Sequence, residues 1–221
     1  MSKIESNFYK AAAKYWATIP ATIDGVLGGF GHISNADIKG SKAFIEDLFA
    51  QGKGTAKTRA LDCGAGIGRV STQLLMPIFE KVDLVEQDTK FALSAKAEFG
   101  DDNPKLGKIY VEGVQNFKPE HQYDLVWCQW ITGHLKDYDL IDFLKILKGA
   151  LTANGVIVIK DNVTSEKTIE YDEEDSSVTR PLLLFETIFK EAKLKVISQR
   201  IQDEFPQEIH PVFMFALAPS E

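Results

Sequence analysis

The sequence has few cysteines, no long apolar run and no excess of basic residues. Its two cysteines, Cys63 and Cys128, exclude a disulfide framework and an all-cysteine metal site, and each ends an apolar run, as buried free thiols do. The four histidines lack the i, i+4 spacing of a metal site, so we expect no metal. No apolar stretch reaches the ~18 residues of a membrane helix and no signal peptide opens the chain, which predicts a cytoplasmic protein without membrane association, with a nuclear pool left open.

The charge balance is acidic, with 25 Lys and Arg against 32 Asp and Glu and a net charge of −7. Nucleic-acid binding needs a basic face, so this balance argues against a nucleic-acid partner and favours a cationic one. With 44% hydrophobic residues, 221 residues suffice for one well-packed functional domain. Within it we predict a helical extension with a glycine-rich lid over residues 1–54 and a catalytic core over 55–221, in a monomer.

Short apolar runs alternate with amphipathic segments after Gly54. Strands that are apolar almost throughout are buried on both faces, which predicts a parallel sheet with helices on either side. The pattern indicates an α/β, Rossmann-like fold with a mostly parallel, seven-stranded sheet. The predicted strands are "ALDCGAG", "VDLVEQD", "KIYVEG", "YDLVWCQW", "GVIVIKDN", "LKVISQRI" and "PVFMFALA".

The first fifty residues follow a different pattern. "SNFYKAAAKYW" predicts one helix and "SKAFIEDLFA" a second, which we expect Ser41 to cap. Between them, "IDGVLGGFGHIS" contains too much glycine for a regular element. It is either a lid over the ligand crevice or a flexible linker.

The stretch "LDCGAGIGR" predicts a nucleotide-binding turn. A phosphate-binding P-loop is excluded because arginine follows the last glycine where that motif needs lysine. The G-x-G-x-G spacing of Gly64, Gly66 and Gly68, after Asp62, also departs from the G-x-G-x-x-G of nicotinamide enzymes. With Glu86 at the end of the next strand, placed to accept hydrogen bonds from ribose hydroxyls, it favours S-adenosylmethionine.

Longer motifs carry a more specific resemblance. They are "YWATIPATIDGVLGGFGHIS", "LDCGAGIGRV", "VWCQWITGHL", "NGVIVIKDN" and "DSSV". In these stretches, which span almost the whole chain, the sequence resembles the eukaryotic protein N-terminal α-amino methyltransferases of class I fold. The resemblance implies S-adenosylmethionine as cofactor and, as substrates, the free N-terminal tails of proteins beginning X-Pro-Lys, ribosomal proteins among them.

The resemblance also implies a set of cofactor-binding residues. Gly64 and Gly66 would pass close to the cofactor, Arg69 would pair with its carboxylate, and Glu86 would bind the ribose. The remaining members flank the ribose, the adenine or the methionyl portion. These are Gln87, Asp88, Val114, Gln115 and Gln129.

Methyl transfer to an amine requires a free lone pair, yet an α-amine has a pKa of about 7.7–8.0 and is mostly protonated at pH 7. Candidates to handle it are Asn162 in "IKDN", Asp175 in "EEDSSV" and His134 in "QWITGHL". By resemblance, Asn162 orients the amine while Asp175 and His134 assist its deprotonation. From the residues alone, a turn asparagine, a solvated loop acid and a helix-capping histidine are the preferred interpretations.

The acidic run "EYDEEDSS" reads by itself as a solvated loop. The resemblance implies that Asp172 and Ser177 bind the lysine at the third position of the peptide.

Other residues are expected to hold the rest of the peptide. Trp16 and Trp130 would supply apolar walls for the proline ring, and Leu27 and Gly28 would cover the peptide. His210 stands in "EIHPV" where the family usually has tyrosine. Two alternatives stay open: a small-molecule N-methyltransferase of the same fold, and a cofactor-binding adaptor without catalysis.

Overall fold

The computed structural model describes residues 7–100 and 102–220. Residues 1–6 and 221, at the ends of the two predicted segments, lie outside the described residues. The helices are α1 (Phe8–Thr18), α2 (Ile23–Val26), α3 (Ser34–Ala50), α4 (Thr89–Phe99), α5 (Asp137–Gly149) and α6 (Leu182–Glu191). The strands are β1 (Arg59–Cys63), β2 (Lys81–Val85), β3 (Leu106–Tyr110), β4 (Tyr123–Gln129), β5 (Leu151–Thr164), β6 (Glu170–Asp172), β7 (Ser177–Pro181), β8 (Leu194–Ile201) and β9 (Val212–Pro219). Short 3₁₀ helices occupy Gly31–Ile33 and Thr132–His134, and a π-helical turn occupies Ser71–Leu75.

The central sheet has the order β3-β2-β1-β4-β5, all parallel. β9 extends it antiparallel to β5, and β8 pairs antiparallel with β9. The chain leaves β1 toward one edge and returns to β4 on the other side, so the direction of winding reverses between β1 and β4. In an open α/β sheet, ligands bind at the carboxyl ends of the strands beside such a reversal.

Both faces of the sheet are covered. All seven residues of β4 are buried, and successive side chains alternate between two cores. Val126 and Cys128 belong to the core that includes residues of α5 and α6, whereas Leu125 and Trp127 pack in the core with α3. The near-continuous apolar runs therefore predicted the buried strands correctly, because a strand covered on both faces has no polar side.

The two cysteines lie side by side. Cys63 of β1 and Cys128 of β4 are register partners, and both are buried free thiols, as predicted. Burial, followed by the contact with Cys128, raises the pKa of the Cys63 thiol well above its usual value. Both residues are therefore part of the core.

Three local predictions were wrong. Helix α3 begins at Ser34, so Ser41 is a fully buried residue in its middle instead of its cap. The glycine-rich stretch contains α2, whose N-cap hydroxyl on Thr22 accepts from the Gly25 amide, and a 3₁₀ turn. The acidic run is no open loop: β6 and β7 form an antiparallel hairpin that joins the carboxyl end of β5.

No helix within residues 7–100 and 102–220 has the length and apolar character needed to cross a membrane.

Candidate active site

A cavity of about 420 Å³ lies at the carboxyl ends of β1, β2, β4 and β5. Helix α1, the α2 segment and the β6–β7 hairpin also line it, together with residues 112–115 after β3 and 208–210 before β9. This volume falls in the range of small-molecule and cofactor sites. The reversal point of the sheet therefore carries a cavity large enough for a cofactor and a reacting group.

The predicted glycine turn forms the floor of one end. Gly64, Gly66 and Gly68 have φ angles of +72°, +56° and +79°, in the left-handed region that glycine adopts without strain. A Cβ atom at Gly64 would lie 2.9 Å from the side chain of Ile131, so any larger residue would force the turn to move. At Gly66 a Cβ would meet only Val26, at 3.8 Å, which leaves the backbone open to a ligand.

Glu86 braces this turn from the next strand. Its Oε2 accepts from the Gly66 amide at 2.8 Å and its Oε1 from the Asp88 amide at 2.7 Å. Burial raises the pKa of Glu86, while these two backbone donors oppose the rise. Each carboxylate oxygen has a second lone pair, so Glu86 can still accept hydrogen bonds from ligand hydroxyls.

Of the nine predicted cofactor residues, eight line the cavity: Gly64, Gly66, Arg69, Glu86, Gln87, Val114, Gln115 and Gln129. Asp88 does not. Its carboxylate is the N-cap of α4 and accepts from the Lys90 and Phe91 amides at 2.8 and 3.2 Å. Its contribution is to hold Glu86 through its backbone and to start the helix.

Asp37, which the sequence analysis missed, holds this end of the site together. It is fully buried on α3, and its carboxylate accepts from Arg69 at 2.8 Å, from Lys160 at 2.5 Å and from Gln129 Nε2 at 2.9 and 3.0 Å. Burial opposes its ionisation, but Lys160 and Arg69 outweigh burial and lower the pKa of Asp37. Burial also disfavours the charged form of Lys160 and lowers its pKa to about 8, although Asp37 opposes that change.

A signal for Asp37 exists in the sequence. The buried residues of α3 are Ser34, Asp37, Ser41, Phe44, Ile45 and Leu48. These positions follow helical spacing, so the apolar stripe of the helix continues toward its N-terminus in polar residues. A periodicity that counts only apolar side chains ends at Phe44 and overlooks them.

At the other end of the cavity lie all three predicted catalytic residues. Asn162, His134 and Asp175 line it from β5, the 3₁₀ helix after β4, and the β6–β7 hairpin. The Oδ1 atom of Asn162 accepts from Trp130 Nε1 at 3.2 Å. Trp130 has a φ of +51°, an unusual conformation for a bulky residue, and stacks on Phe205 with ring centroids 6.3 Å apart. The strained backbone turns the indole toward Asn162.

His134 is buried between α1 and the hairpin. Its Nε2 accepts from Trp16 Nε1 at 3.0 Å and lies 3.9 Å from Asp175 Oδ2. Burial lowers the pKa of His134, opposed first by Asp175 and then by Asp161. Two buried atoms, His134 Nδ1 and Asp175 Oδ1, have no partner with full hydrogen-bond geometry among the described residues, although the backbone of Ser176 lies close enough to His134 to favour its protonation. The pair is therefore incompletely satisfied, as expected of groups that exchange a proton with a ligand.

Five of the seven predicted peptide-binding residues line the same cavity: Trp16, Leu27, Trp130, Ser177 and His210. Gly28 and Asp172 lie outside its lining. Asp172 is exposed, and its Oδ1 accepts from the Glu174 amide at 2.8 Å within the hairpin turn. His210 Nε2 lies 3.7 Å from Glu170 Oε2, which places it beside the hairpin.

Comparisons with known proteins agree with this arrangement. A family profile described as AdoMet dependent proline di-methyltransferase matches residues 4–218. N-terminal Xaa-Pro-Lys N-methyltransferase 1 of Xenopus tropicalis is 46% identical over 96% of each chain. Alpha N-terminal protein methyltransferase 1 of Drosophila melanogaster is 47% identical over 97% of this chain and 78% of the fly protein.

Solved structures are similar to this chain as well. A SAM-dependent methyltransferase from Leishmania major superposes with a TM-score of 0.90 and 36% identity, covering 98% of this chain and 87% of that protein. The predicted class I methyltransferase fold is confirmed by this likeness.

Proposed function

The chain belongs to the AdoMet-dependent proline di-methyltransferase family, and we propose that it methylates the free α-amino group of proteins whose N-termini begin X-Pro-Lys. As a family member it is a methyltransferase that uses S-adenosylmethionine. One observation carries the finer proposal: Asn162, His134 and Asp175 border the same cavity as the glycine turn. Groups able to accept the protons of an amine therefore stand across from the cofactor-binding groups.

The residues present suit the cofactor. Glu86 offers acceptors for ribose hydroxyls beside an open backbone turn, and the guanidinium of Arg69 has five donors, of which Asp37 engages only part. When bound, S-adenosylmethionine supplies an electrophilic methyl group on its sulfonium. The part of the chain that the structure describes provides binding at this end of the cavity and amine handling at the other.

On the acceptor side, Asn162 Oδ1 orients the incoming amine. An amide oxygen accepts an N–H hydrogen bond without stabilising the ammonium form as strongly as a carboxylate does. Asp175 and His134 take up the proton that the amine loses, and the lone pair so freed attacks the methyl group. Positioned proton transfer of this kind typically accelerates a reaction by about 10²–10⁴-fold.

The walls of the cavity support the X-Pro-Lys preference. Trp16 and Trp130 present apolar faces for a proline ring, and Ser177 begins β7 of the acidic hairpin. Asp172 is exposed on that hairpin, and we propose that it binds the lysine side chain where that side chain leaves the cavity. Cytoplasmic and nuclear location, ribosomal substrates and a monomeric state stay predictions.

Mass spectrometry of methyl incorporation into a short Ser-Pro-Lys peptide tests the function. The same peptide with an acetylated N-terminus, and one with glutamine in place of lysine, serve as controls. We expect methylation of the free peptide, none of the acetylated one, and less of the glutamine one. No transfer to any peptide by a protein that still binds the cofactor would favour the small-molecule enzyme or the adaptor.

A further inference from the structure

The indole of Trp16 is hydrogen-bonded to the ring that the proposed function assigns to amine deprotonation. Trp16 lies in the last turn of α1, between Phe91 and His134, with edge-on ring contacts of 6.3 and 5.7 Å between centroids. Its Nε1 donates to His134 Nε2 at 3.0 Å. The contact joins residues 118 positions apart and connects the N-terminal helix to the catalytic groups.

This contact selects one form of the imidazole. An indole N–H can only donate, so the nitrogen it faces must carry a lone pair. A neutral His134 therefore has its proton on Nδ1. A second proton can bind only at Nε2, where it would break the hydrogen bond from Trp16 and replace it by an ion pair with Asp175, whose Oδ2 lies 3.9 Å away.

Of the other groups around His134, some favour its protonated form and some its neutral form. From the β6–β7 hairpin, Asp175, Asp172 and the backbone of Ser176 favour the imidazolium, as does Asp161 from β5. Burial favours the neutral ring, and α1 contributes the Trp16 donor to the same side. Burial outweighs the three carboxylates and lowers the pKa of His134, and the Trp16 donor acts in the same direction as burial, toward the neutral ring that can accept a proton from the substrate.

We propose that Trp16 is a positioning residue that holds His134 in the neutral, Nδ1-protonated form and so keeps it able to accept the proton of the amine. The inference rests on the proposed function of His134. Helix α1 then does more than line the cavity, because His134 is held in this form only while α1 packs beside it and Trp16 donates to it. Protonation at Nε2 exchanges the indole bond for the Asp175 ion pair, and loss of that proton restores it.

The test is an NMR titration of His134 in the protein alone, without cofactor or peptide. His134→Gln identifies its signals among the four histidines. In the wild-type protein we expect ¹⁵N shifts of a neutral ring protonated on Nδ1. In Trp16→Phe, which keeps an aromatic ring but loses the donor, we expect the pKa of His134 to rise by about 0.7 unit, a roughly fivefold change in proton affinity.

Trp130→Phe is the matched control, because its indole lines the same cavity but donates to Asn162. We expect it to leave the pKa of His134 unchanged. An unchanged pKa in Trp16→Phe, or an equal rise in both variants, would overturn the proposal. A neutral wild-type ring protonated on Nε2 would overturn it even if Trp16→Phe failed to fold.

A second readout links the ring to turnover. A base must be neutral to act, so a raised pKa moves the acid limb of the kcat/KM profile to higher pH by the same amount. We expect the acid limb of Trp16→Phe to lie about 0.7 unit above that of the wild-type protein; the position of the limb is compared and not the height of the plateau, because Trp16 also lines the peptide end of the cavity. Absence of methyl transfer in the wild-type protein would refute the proposed function while leaving the NMR result to stand, so the two failures are distinguishable.

Discussion

A single carboxylate, that of Asp37, fixes three groups at the cofactor end of the site. Arg69, Gln129 and Lys160 all donate to it, and all four residues are buried. Arg69 lines the cavity and Asp37 engages only part of its donors, so its guanidinium is placed to meet the carboxylate of a bound cofactor. Groups held in place in this way need no rearrangement when the ligand binds.

Asp37→Asn should therefore destabilise the fold and weaken cofactor binding together. Removing one member of a buried ion pair leaves an uncompensated charge and costs about 3–5 kcal/mol. Denaturant unfolding would measure the free energy, and calorimetry the affinity for S-adenosylmethionine. Asp47→Asn is the control on the same helix, since Asp47 is exposed and pairs with Arg200 at the surface. It should cost less than about 1 kcal/mol, and equal losses would contradict a special role for Asp37.

Asp175→Asn should lower kcat by about 10²–10⁴-fold, because an amide of the same shape cannot take a proton from the amine. Cofactor affinity should change little, since Asp175 lies on the hairpin and its carboxylate faces His134. Steady-state kinetics with the Ser-Pro-Lys peptide and cofactor calorimetry would separate the two. Glu173→Gln, an exposed neighbour in the same turn, should leave kcat near the wild-type value. A matching loss of cofactor affinity in Asp175→Asn would show that its role was assigned wrongly.

Residues with a local sequence signature were placed correctly in the cavity. Gly64, Gly66 and Glu86 belong to a turn and a strand end that are recognisable from adjacent residues. Asp37 has no such signature, because its partners lie far along the chain, Gln129 at a separation of 92 residues. For Asp88, a position beside Glu86 was evident from the sequence, but the role was not: its side chain caps α4 and does not line the cavity.

At the scale of elements, the site depends on how α1 is fastened. Lys90, at the start of α4, donates to the backbone oxygens of Ala17, at 3.1 Å, and Ile19, with the oxygen of Trp16 at 3.5 Å. The last carbonyls of a helix lack intrahelical partners and carry its negative dipole end, so an ammonium group there is favourable. The helix that bears Trp16 is thus joined to the helix that follows Glu86.

Lys90→Met should loosen α1 without unfolding the sheet. A charge at a helix terminus contributes about 0.3–1 kcal/mol, so amide exchange in α1 should become about twofold to fivefold faster. Hydrogen-exchange mass spectrometry would detect this, with denaturant unfolding of the whole protein changed by less than about 1 kcal/mol. Lys42→Met, an exposed residue of α3 that pairs with Glu46, should leave exchange in α1 unaltered. Equal exchange in both variants would mean that Lys90 does not fasten the helix.

The sequence predicted elements well where they are apolar and poorly where they are polar. β4 and β5 were evident from runs of buried residues. The β6–β7 hairpin was not, because β6 has only three residues and is mostly exposed, while the one fully buried residue of β7 is the charged Arg180. Alternation cannot identify a strand whose two faces are both polar, and this hairpin is held by pairing with the end of β5 instead.

At the scale of the whole molecule, the cavity is formed by the carboxyl ends of the sheet strands together with α1, α2 and the β6–β7 hairpin, segments that are distant in sequence. Phe44 and Leu48 of α3 pack in the same core as the strands, which joins the N-terminal segment to the rest. The sheet could be predicted because its buried strands are apolar runs that are recognisable from adjacent residues. The closed site could not, since contacts such as that between Trp16 and His134 depend on long-range packing that no local pattern encodes.

The molecule also acts on its substrate through charge. The protein has a net charge of −7, and the exposed acids Asp172, Glu173 and Glu174 directly precede Asp175, which lines the cavity. A peptide with a protonated amine and a lysine is attracted from a distance, and salt weakens that attraction as the screening length falls from about 30 Å at 0.01 M to about 10 Å at 0.1 M.

We therefore expect kcat/KM for the Ser-Pro-Lys peptide to fall severalfold over this range of salt. The glutamine peptide should fall less, because it carries one positive charge fewer and only its amine is attracted. Initial rates at subsaturating peptide and saturating cofactor give kcat/KM directly, and the comparison of two peptides at each salt concentration cancels any general effect of salt on the enzyme. Parallel slopes would place the lysine away from the acidic hairpin, whereas a steeper slope for the lysine peptide supports the contact proposed for Asp172.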